Sequence, residues 1–375
     1  MSLRVLVADD AIFFRHLLAE VLASFPGVEV VGTAANGRLA VQKVRELHPD
    51  LLTLDIEMPE MDGLAVLDEL RRGGDAVATI VVSALSRKSG DLTVRALEKG
   101  AFDFITKSET PGPQQGREAL TRALSSRIRA IAHRVEVRDI IRGKGSAGQI
   151  EVPAARAMVR IAPTESLDDV AGRMQRLASP VSARMVLVGV STGGPAALAR
   201  ILPQIPGDIG VPIFIVQHMP AIFTQSLAEN LATKCALRVR EAVNGEWAEP
   251  NTAYIAPGGR QMRIGTEPGN RISIQITDDP PENNCRPAVD YLFRSAANRF
   301  PGQAMAVILT GMGSDGTIGL RLLKRQGCFV IAQDEPSCVV YGMPKAAIEA
   351  GVADIVLPLE AIAARITSVV RGRVN

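Results

Sequence analysis

The stretch that most constrains the fold is residues 185–195, where six nearly all-apolar residues lead directly into a serine and two glycines. An apolar run of this length is typical of a strand buried on both faces, as in a parallel sheet. Pro195 suits the first turn of a helix, which we expect over residues 196–201. The sequence G-V-S-T-G then predicts a strand, turn and helix that present the hydroxyl of Ser191. A glycine-rich loop can also bind a phosphate group, so this stretch alone leaves both interpretations open.

Composition limits the class of protein. The 375 residues predict two or three domains. The 42 basic and 40 acidic residues give a net charge of +2, which provides no reason to expect nucleic acid or an anionic membrane as a partner. The N-terminus lacks a signal-peptide pattern, and no apolar run approaches the roughly 18 residues of a membrane span. Four cysteines without C-x-x-C spacing favour reduced thiols, so we expect a cytoplasmic protein without membrane insertion.

Residues 1–132 alternate strand and helix patterns, which favours a parallel sheet covered on both faces. We predict strands at residues 5–8, 28–32, 51–54, 79–82 and 102–105. Binding sites in such sheets form beyond the carboxyl ends of the strands. The polar residues at those ends are Asp9, Asp10, Asp55, Ser83 and Lys107.

These strand-end residues predict a phosphorylation site. Clustered carboxylates repel one another, and a divalent cation removes the conflict; oxygen ligands alone suit Mg²⁺. A carboxylate next to Mg²⁺ can attack a phosphoryl group, and we predict Asp55 as the acceptor. Lys107 would pair with the phosphoryl group, and the Ser83 hydroxyl would donate to it. The predicted Mg²⁺ ligands are Asp9, Asp10, Asp55 and Glu57.

These residues closely resemble the receiver domain of bacterial two-component response regulators. The resemblance extends over the whole segment and includes Phe104, three residues before Lys107. It implies a flavodoxin-like fold. Ser108 departs from the pattern, because receivers usually have proline after the lysine. That proline commonly forms a cis bond that shapes the loop, so the departure concerns loop geometry and not the phosphoryl chemistry.

The segment between the two halves of the chain predicts a linker. A helical pattern covers residues 117–135, and the sequence from 142 to 182 is rich in Gly, Ala, Ser, Pro and Arg. We predict a basic linker over residues 133–183, with a short helix at 167–177. Such a linker is usually solvated, and docking onto an acidic partner is the alternative.

Parallel-sheet patterns resume over residues 184–371, and three apolar runs end in reactive residue types. The runs at 185–190, 211–216 and 304–310 lead to Ser191, His218 and Asp315. Parallel strands would gather these three side chains at one sheet edge as nucleophile, base and orienting carboxylate. His218 is the base by elimination, since the other histidines (His16, His48 and His133) precede this segment. We therefore expect a second doubly wound, mainly parallel α/β domain.

The residues alone leave two roles in this segment open, the orienting carboxylate and the nucleophile. Asp315 also fits a turn or helix N-cap, and four other aspartates compete as the orienting group: Asp278, Asp279, Asp290 and Asp334. Cys285 is another candidate nucleophile. No histidine lies near Cys285 in sequence to activate its thiolate, so we interpret it as a buried or inert thiol.

The whole chain resembles the response-regulator protein-glutamate methylesterases of bacterial chemotaxis. The motifs are V-G-V-S-T-G-G-P around Ser191, V-Q-H-M-P around His218 and L-T-G-M-G-S-D-G around Asp315, in the family's order. The resemblance implies hydrolysis of glutamate γ-methyl esters on chemoreceptors, and deamidation of receptor glutamines, by a Ser-His-Asp triad. Backbone N–H groups near Met312 and the Thr192 turn would form the oxyanion hole, and the Thr192 side chain would help hold His218.

The resemblance also implies partners and control. The methyl-accepting chemoreceptors would be the substrate and the chemotaxis histidine kinase the phosphoryl donor, with Mg²⁺ only in the receiver and no cofactor for the esterase step. We expect a monomer in which the unphosphorylated receiver packs over the cleft. Two residues, Gln261 and Cys285, stand where relatives often carry histidine, so we expect altered substrate contacts.

Two other classes of function are alternatives to this one. A regulator with a DNA-binding output domain would need a helix-turn-helix with a basic recognition helix, and the near-neutral charge and parallel-sheet pattern argue against it. A non-catalytic phosphate or nucleotide binder would use the loop Thr192-Gly193-Gly194. Labelling of Ser191 by an organophosphonate, lost in His218→Ala, would exclude that binder.

Overall fold

The structure, a computed structural model, describes residues 2–107, 113–141, 183–267, 269 and 271–372. Two α/β units are present, each built on a parallel sheet with helices on its faces, which confirms the predicted fold class. Ser108, the predicted helix at residues 167–177 and most of the predicted linker lie outside the described residues. None of the helices in the described ranges is long and apolar enough to cross a membrane.

The first unit has five strands in the order β2-β1-β3-β4-β5, and every neighbouring pair is parallel. The strands are β1 (Leu3–Ala8), β2 (Val28–Ala34), β3 (Leu51–Asp55), β4 (Ala78–Ser83) and β5 (Asp103–Thr106). The helices are α1 (Ile12–Ala23), α2 (Gly37–Leu47), α3 (Gly63–Gly73), α4 (Arg87–Glu98) and α5 (Pro113–Ile141). The strand order reverses between β1 and β3, which is where a doubly wound sheet opens a crevice for a ligand.

Helix α5 is longer than the sequence pattern predicted, since residues 117–135 were expected and Pro113–Ile141 is observed. At its start, Pro113 is compatible with the first turn, where a backbone donor is not needed. At its end, no glycine or proline interrupts the sequence before Gly143. The predicted linker therefore begins with helix and not with irregular chain.

The second unit has seven parallel strands in the order β14-β13-β12-β6-β7-β9-β8, and a separate antiparallel hairpin of β10 and β11. The strands are β6 (Met185–Val190), β7 (Ile213–Gln217), β8 (Arg238–Glu241), β9 (Thr252–Ile255), β10 (Gln261–Glu267), β11 (Arg271–Thr277), β12 (Ala304–Ile308), β13 (Phe329–Gln333) and β14 (Ile355–Leu357). The helices are α6 (Gly194–Ile201), α7 (Ala221–Ala232), α8 (Val289–Arg299), α9 (Thr317–Arg325), α10 (Met343–Glu349) and α11 (Leu359–Val370).

Strand β6 is the centre of this sheet, and all six of its residues are buried. It pairs with β12 on one side and β7 on the other, so the strand order reverses beside it. Gly189 allows α8 to pack directly on this strand, because a Cβ there would stand 2.4 Å from Val289 Cγ1. The carboxyl ends of β6, β7 and β12 therefore meet at the crevice of the sheet.

The two units pack against each other through α4 of the first and α7 of the second. The rings of Phe104 and Phe223 lie 4.6 Å apart between centroids and are tilted by 44°. Such an aromatic pair contributes about 0.5–1.5 kcal/mol beyond its buried area. At the rim, Arg87 pairs with Glu229 at 2.8 Å and Lys234 with Glu98 at 2.6 Å. Apolar packing dominates this contact, since exposed ion pairs contribute little.

Candidate active site

The loops after β6, β7 and β12 carry Ser191, His218 and Asp315. Ser191 and His218 both line a cavity of about 710 Å³, together with Cys285 and Met312. Asp315 lies behind His218 and contacts its ring. The fold thus brings together three residues from three distant parts of the sequence, as parallel strands with a shared edge require.

Backbone hydrogen bonds fix the turn that carries Ser191. The Ser191 amide donates to Thr310 O at 3.0 Å, and the Ser191 carbonyl accepts from the Gly194 amide at 2.8 Å. Gly193 has a φ of 80°, in the left-handed region that favours glycine, and a Cβ there would stand 2.5 Å from Val339 Cβ. The turn therefore needs glycine, and it delivers the chain from β6 directly into α6.

The loop after β12 packs tightly against the serine. A Cβ on Gly311 would stand 2.7 Å from Ser191 Cβ, so only glycine permits this approach. The Thr310 hydroxyl donates to Thr192 O at 2.9 Å and ties the two loops together. Met312, which follows Gly311, lines the cavity beside Ser191.

His218 and Asp315 form a buried pair. His218 Nε2 lies 2.8 Å from Asp315 Oδ2, and the two side chains are 13% and 3% exposed. The same carboxylate accepts from the Val289 amide at 2.7 Å, the Asp290 amide at 3.0 Å and Asn283 Nδ2 at 3.0 Å. Burial alone would raise the pKa of Asp315, but His218 and the two backbone amides outweigh burial and hold the pKa below its usual value. Asp315 is therefore a fixed negative charge.

The negative charge determines the state of the imidazole. Burial favours the neutral ring and lowers the pKa of His218, but the hydrogen bonds to Asp315 and Cys285 outweigh burial and raise the pKa to about 9. In this arrangement the raised pKa favours the protonated form of the ring. Among the residues that the structure describes, the hydrogen-bond partner of His218 Nδ1 is Cys285 Sγ at 3.7 Å and not the Ser191 hydroxyl. Catalytic hydrogen bonds often form only when substrate is bound.

The competing aspartates have other partners. Asp278 pairs with Arg260, Asp279 accepts from the Tyr291 hydroxyl, and Asp334 accepts from the Ser337 amide. Asp290 accepts from the Gly319 amide at 2.7 Å and from Asn283 Nδ2 at 3.0 Å. Of the five aspartates considered, Asp315 is the one that contacts His218.

The structure corrects three expectations about side chains near the cleft. Cys285 was interpreted as a buried or inert thiol because no histidine lies near it in sequence, yet it is partly exposed and the fold brings it to His218, 67 residues away in the chain. Gln261 was expected to alter a substrate contact, but it is fully buried and holds a loop, accepting from the Ala288 amide at 2.9 Å. Thr192 was expected to help hold His218, but its hydroxyl donates to Asp103 Oδ2 of the first unit at 2.8 Å.

The first unit covers one side of the cleft. Asp103 Oδ2 also lies 3.0 Å from Arg127 Nε of α5, and Asp103, Phe104 and Arg127 all line the cavity that contains Ser191. Asp103 is 6% exposed, so its contact with Thr192 is shielded from water. The cavity is therefore bounded by both units.

Two supporting residues were missed from sequence. Gln217 Nε2 donates to Ser191 O at 3.0 Å and to His218 O at 3.3 Å, which joins the loops of both residues. Asn283 Nδ2 donates to both Asp290 and Asp315. A polar residue that ends an apolar strand immediately before His218 was a usable signal for Gln217. Asn283 gives no such signal, because only its position in space relates it to Asp315.

A second cluster of functional residues lies at the crevice of the first unit. One carboxylate oxygen from each of Asp9, Asp10 and Asp55 lies within 4.8 Å of the others. Lys107 Nζ lies 2.7 Å from Asp55 Oδ2 and 2.9 Å from Asp9 Oδ2. Burial raises the pKa of Asp9 and raises the pKa of Asp55 to about 6. Two buried carboxylates and one ammonium leave an excess of negative charge, and oxygen ligands alone fit Mg²⁺.

Two residues predicted for this cluster have other contacts. The Glu57 carboxylate lies outside the cluster, since it accepts from Ser89 Oγ at 2.7 Å and pairs with Lys88 at 3.0 Å. The Glu57 side chain is therefore not placed as a Mg²⁺ ligand, contrary to the prediction. Ser83 is fully buried at the end of β4, and its hydroxyl accepts from Thr93 Oγ1 at 2.7 Å.

Comparison with known proteins matches both units. The family model for the response regulator receiver domain matches residues 5–119, and the model for CheB methylesterase matches residues 186–366. The protein-glutamate methylesterase/protein-glutamine glutaminase of Desulfotalea psychrophila is 46% identical over 371 residues, which cover 99% of each chain. The chain belongs to the CheB methylesterase family.

Further relatives of this CheB methylesterase family member include the protein-glutamate methylesterase/protein-glutamine glutaminase of Halalkalibacterium halodurans, 41% identical over 364 residues and 96% of each chain. The crystal structure of the CheB methylesterase catalytic domain of Thermotoga maritima is 44% identical and covers 50% of this chain and 99% of that chain, with a TM-score of 0.49. The receiver match includes Asp9, Asp55 and Lys107, and the methylesterase match includes Ser191 and His218.

Proposed function

We propose that this CheB methylesterase family member is a phosphorylation-controlled serine hydrolase that releases methanol from glutamate γ-methyl esters on chemoreceptors and deamidates specific receptor glutamines. The observation that carries the proposal is the buried His218–Asp315 pair, which shares one crevice with Ser191. The names of the relatives support the substrate class, since both are protein-glutamate methylesterases and protein-glutamine glutaminases.

In the proposed reaction, the Ser191 hydroxyl attacks the ester carbonyl and passes its proton to His218. The accepting atom is Nδ1, because Nε2 is held by Asp315. Asp315 keeps the proton on Nε2, fixes the orientation of the ring and stabilises the imidazolium that forms. The imidazolium then protonates the departing methoxide, which leaves as methanol. A water molecule attacks the acyl group on Ser191 by the same route, and with a glutamine substrate the leaving group is ammonia.

When Ser191 attacks, negative charge develops on the carbonyl oxygen, and hydrogen-bond donors in the crevice must stabilise it. The backbone N–H groups of Thr192 and Met312 are the proposed donors, because Thr192 follows the nucleophile in the turn and Met312 lines the cavity beside it. Each such donor contributes about 3 kcal/mol to the stability of the transition state. The esterase step uses these protein groups and needs no cofactor in this proposal.

The activity is measured directly as methanol release when the purified full chain is mixed with methylated chemoreceptor. Stoichiometric methanol release, with recovery of glutamate at the methylated positions, is the expected result. A second assay on receptor that carries glutamine at those positions measures ammonia. Absence of both products, with the protein folded and phosphorylated, would reject the proposed function.

Phosphorylation is proposed to occur on Asp55, with a histidine kinase as the donor. Asp9, Asp10 and Asp55 would hold Mg²⁺, which shields the negative charge of the phosphoryl group. Lys107 would contact the phosphoryl oxygens, since its ammonium group already lies between the two buried carboxylates. The Ser83 hydroxyl is the proposed donor from β4. We place this chemistry in a monomer in the cytoplasm, and the four free cysteines are compatible with a reducing compartment.

Replacing Asp55 with asparagine is expected to abolish phosphoryl uptake from acetyl phosphate and Mg²⁺, because the amide is not a nucleophile. Asp62→Asn is the matched control, since Asp62 caps α3 by accepting from the Ala65 amide and asparagine keeps that cap. Incorporation of radiolabelled phosphoryl group into each variant is the measurement. Equal labelling of Asp55→Asn and wild type would place the acceptor elsewhere.

The receiver is proposed to restrict access to the crevice until Asp55 is phosphorylated. The domain limits in this proposal are residues 1–132 for the receiver, 133–183 for the linker and 184–371 for the catalytic domain. The contact of Phe104 with Phe223 and the hydrogen bond from Thr192 to Asp103 hold the closed arrangement. A tenfold activation requires a shift of only about 1.4 kcal/mol between closed and open arrangements.

Replacing Asp103 with alanine is expected to raise the activity of the unphosphorylated protein by about tenfold. The variant loses the shielded hydrogen bond from the Thr192 hydroxyl to the Asp103 carboxylate. Hydrogen bonds to charged groups contribute about 1.5–3 kcal/mol. Arg87→Ala is the matched control, because it removes only the exposed ion pair with Glu229 at the same interface, for which we expect a change below about threefold. Methanol release is measured without a phosphoryl donor. Unchanged activity of Asp103→Ala would exclude this contact as part of the closure.

A further inference from the structure

We propose that Cys285 is a positioning residue for His218: its thiol pairs with the ring nitrogen that receives the Ser191 proton, and in the closed arrangement it keeps that nitrogen engaged. The inference rests on the proposed function, because that function makes His218 the base. It adds a residue, and a means of adjusting the base, that the triad does not include.

The geometry leaves one nitrogen of His218 for the serine, and Cys285 occupies it. Asp315 Oδ2 holds Nε2 at 2.8 Å, so the opposite ring nitrogen is the one that can accept a proton. Cys285 Sγ lies 3.7 Å from that Nδ1, within reach of a hydrogen bond to sulfur. Cys285 is partly exposed and lines the same cavity as Ser191. The thiol is thus at the atom where the proposed proton transfer takes place.

The position of Cys285 is set by a tight turn. The Cys285 amide donates to Glu282 O at 2.8 Å, and the Glu282 amide donates to Cys285 O at 3.1 Å. Asn283 and Asn284 between them have φ values of 51° and 60°, as the two central residues of a type I′ turn require. Gln261 holds the chain just before this turn, because its Nε2 donates to Pro280 O at 3.1 Å. The backbone at Cys285 is therefore held in place beside the ring.

The same turn is tied to the carboxylate on the other side of the imidazole. Asn283 Nδ2 donates to Asp315 Oδ1 at 3.0 Å, so one short segment contacts Asp315 and, two residues later, the ring nitrogen. A displacement of the turn changes both partners of His218 together. This coupling would not exist if Cys285 were an isolated surface thiol.

The Cys285 sulfur and His218 Nδ1 are close enough for a proton to pass between them. When the proton moves from sulfur to Nδ1, a thiolate and an imidazolium result, and the adjacent Asp315 stabilises the positive ring. Among the described residues, the charged groups near this pair include Asp290, which shares Asn283 with Asp315, and three receiver residues that line the same cavity: Asp103, Arg122 and Arg127. An imidazolium cannot accept the Ser191 proton, so the pair restrains the base while the crevice is closed.

The other three cysteines lie in different surroundings, where burial controls their pKa. Burial raises the pKa of Cys328, raises the pKa of Cys235 to about 11 and raises the pKa of Cys338 to about 12. These three thiols are protonated at neutral pH and serve as internal controls. Cys285 differs from them by its histidine partner, and it contributes to the raised pKa of His218.

The first test is the rate at which iodoacetamide alkylates each cysteine of the full-length protein between pH 5 and pH 9, followed by mass spectrometry. We expect Cys285 to be alkylated at neutral pH and below, where Cys235, Cys328 and Cys338 react slowly. In His218→Gln the reaction of Cys285 should require higher pH, because the imidazolium is gone. The same pH dependence of Cys285 alkylation in wild type and His218→Gln would overturn the pair. This readout does not require esterase activity.

The second test is the pH profile of kcat/KM for methanol release by wild type, Cys285→Ala and Cys285→Ser. His218 acts as a base only when neutral, so activity rises as pH increases through its pKa. Loss of the thiol lowers that pKa, and each unit increases the neutral fraction at pH 7 about tenfold. We expect the acid limb of Cys285→Ala to move to lower pH, and activity at pH 7 to rise up to about tenfold.

Cys285→Ser separates proton sharing from packing. Serine keeps a small polar side chain on Nδ1 but does not ionise in this range, so we expect its profile to follow that of Cys285→Ala. Profiles that coincide with wild type, or activity that falls equally at every pH in both variants, would overturn the proposal. Phosphorylation of Asp55 and circular dichroism verify that both variants are folded. If wild type releases no methanol, the proposed function fails, and the alkylation test still decides the pair.

Discussion

Replacing Ser191 with alanine is expected to lower kcat for methanol release by about 10⁶-fold, the loss measured when a triad enzyme is deprived of its nucleophile. The reason is that the crevice then offers no hydroxyl for the ester carbonyl. His218 and Asp315 remain paired, because their hydrogen bond does not involve Ser191. The residual rate would come from water attack in a site that still stabilises the oxyanion.

Ser314→Ala is the matched control for this experiment. Ser314 precedes Asp315 in the loop after β12 and is exposed, and its hydroxyl does not line the cavity that contains Ser191. We expect its activity to stay within about twofold of wild type, as for most exposed substitutions. The melting temperature of Ser191→Ala should change little, which would show that the variant is folded. If Ser191→Ala kept more than a thousandth of the wild-type rate, Ser191 would not be the nucleophile.

Replacing Asp315 with asparagine is expected to lower kcat by about 10⁴-fold, the cost of an orienting carboxylate that becomes an amide. Asp315 accepts four hydrogen bonds, two at each oxygen, and asparagine has only one acceptor oxygen. Its NH₂ group must face either the Val289 amide and His218, or Asn283 and the Asp290 amide. In the first case the ring is forced into the wrong tautomer, and in the second two buried donors lose their acceptor.

The pH dependence of Asp315→Asn follows from the same contact. The carboxylate raises the pKa of His218, so its loss lowers that pKa and moves the acid limb of the residual activity to lower pH. Asp290→Asn is the matched control: Asp290 is equally buried and bonds Asn283, but it does not touch His218. We expect it to lower the melting temperature while changing kcat by less than about tenfold. A similar loss of kcat in both variants would mean that stability, and not orientation of the ring, is responsible.

Much of the candidate site could be predicted from sequence, because it depends on where strands end. Apolar runs bounded by Ser191, His218 and Asp315 predict buried parallel strands, and parallel strands place their carboxyl ends at one edge. The same reasoning led to Asp9 and Asp55 in the first unit. These inferences depend on local pattern and on one general property of α/β sheets, so no knowledge of side-chain packing was needed.

The sequence by itself therefore determined two α/β units, the strand ends that carry reactive side chains, and the residue types available there. Only the tertiary structure decided which atoms meet: that Asp315 holds Nε2 and not Nδ1, that Cys285 reaches the other nitrogen, and that Asp103 takes the Thr192 hydroxyl. The physical reason is that hydrogen bonds act over about 3 Å. Their partners are set by how segments far apart in the chain pack together, and local sequence patterns carry no record of that packing.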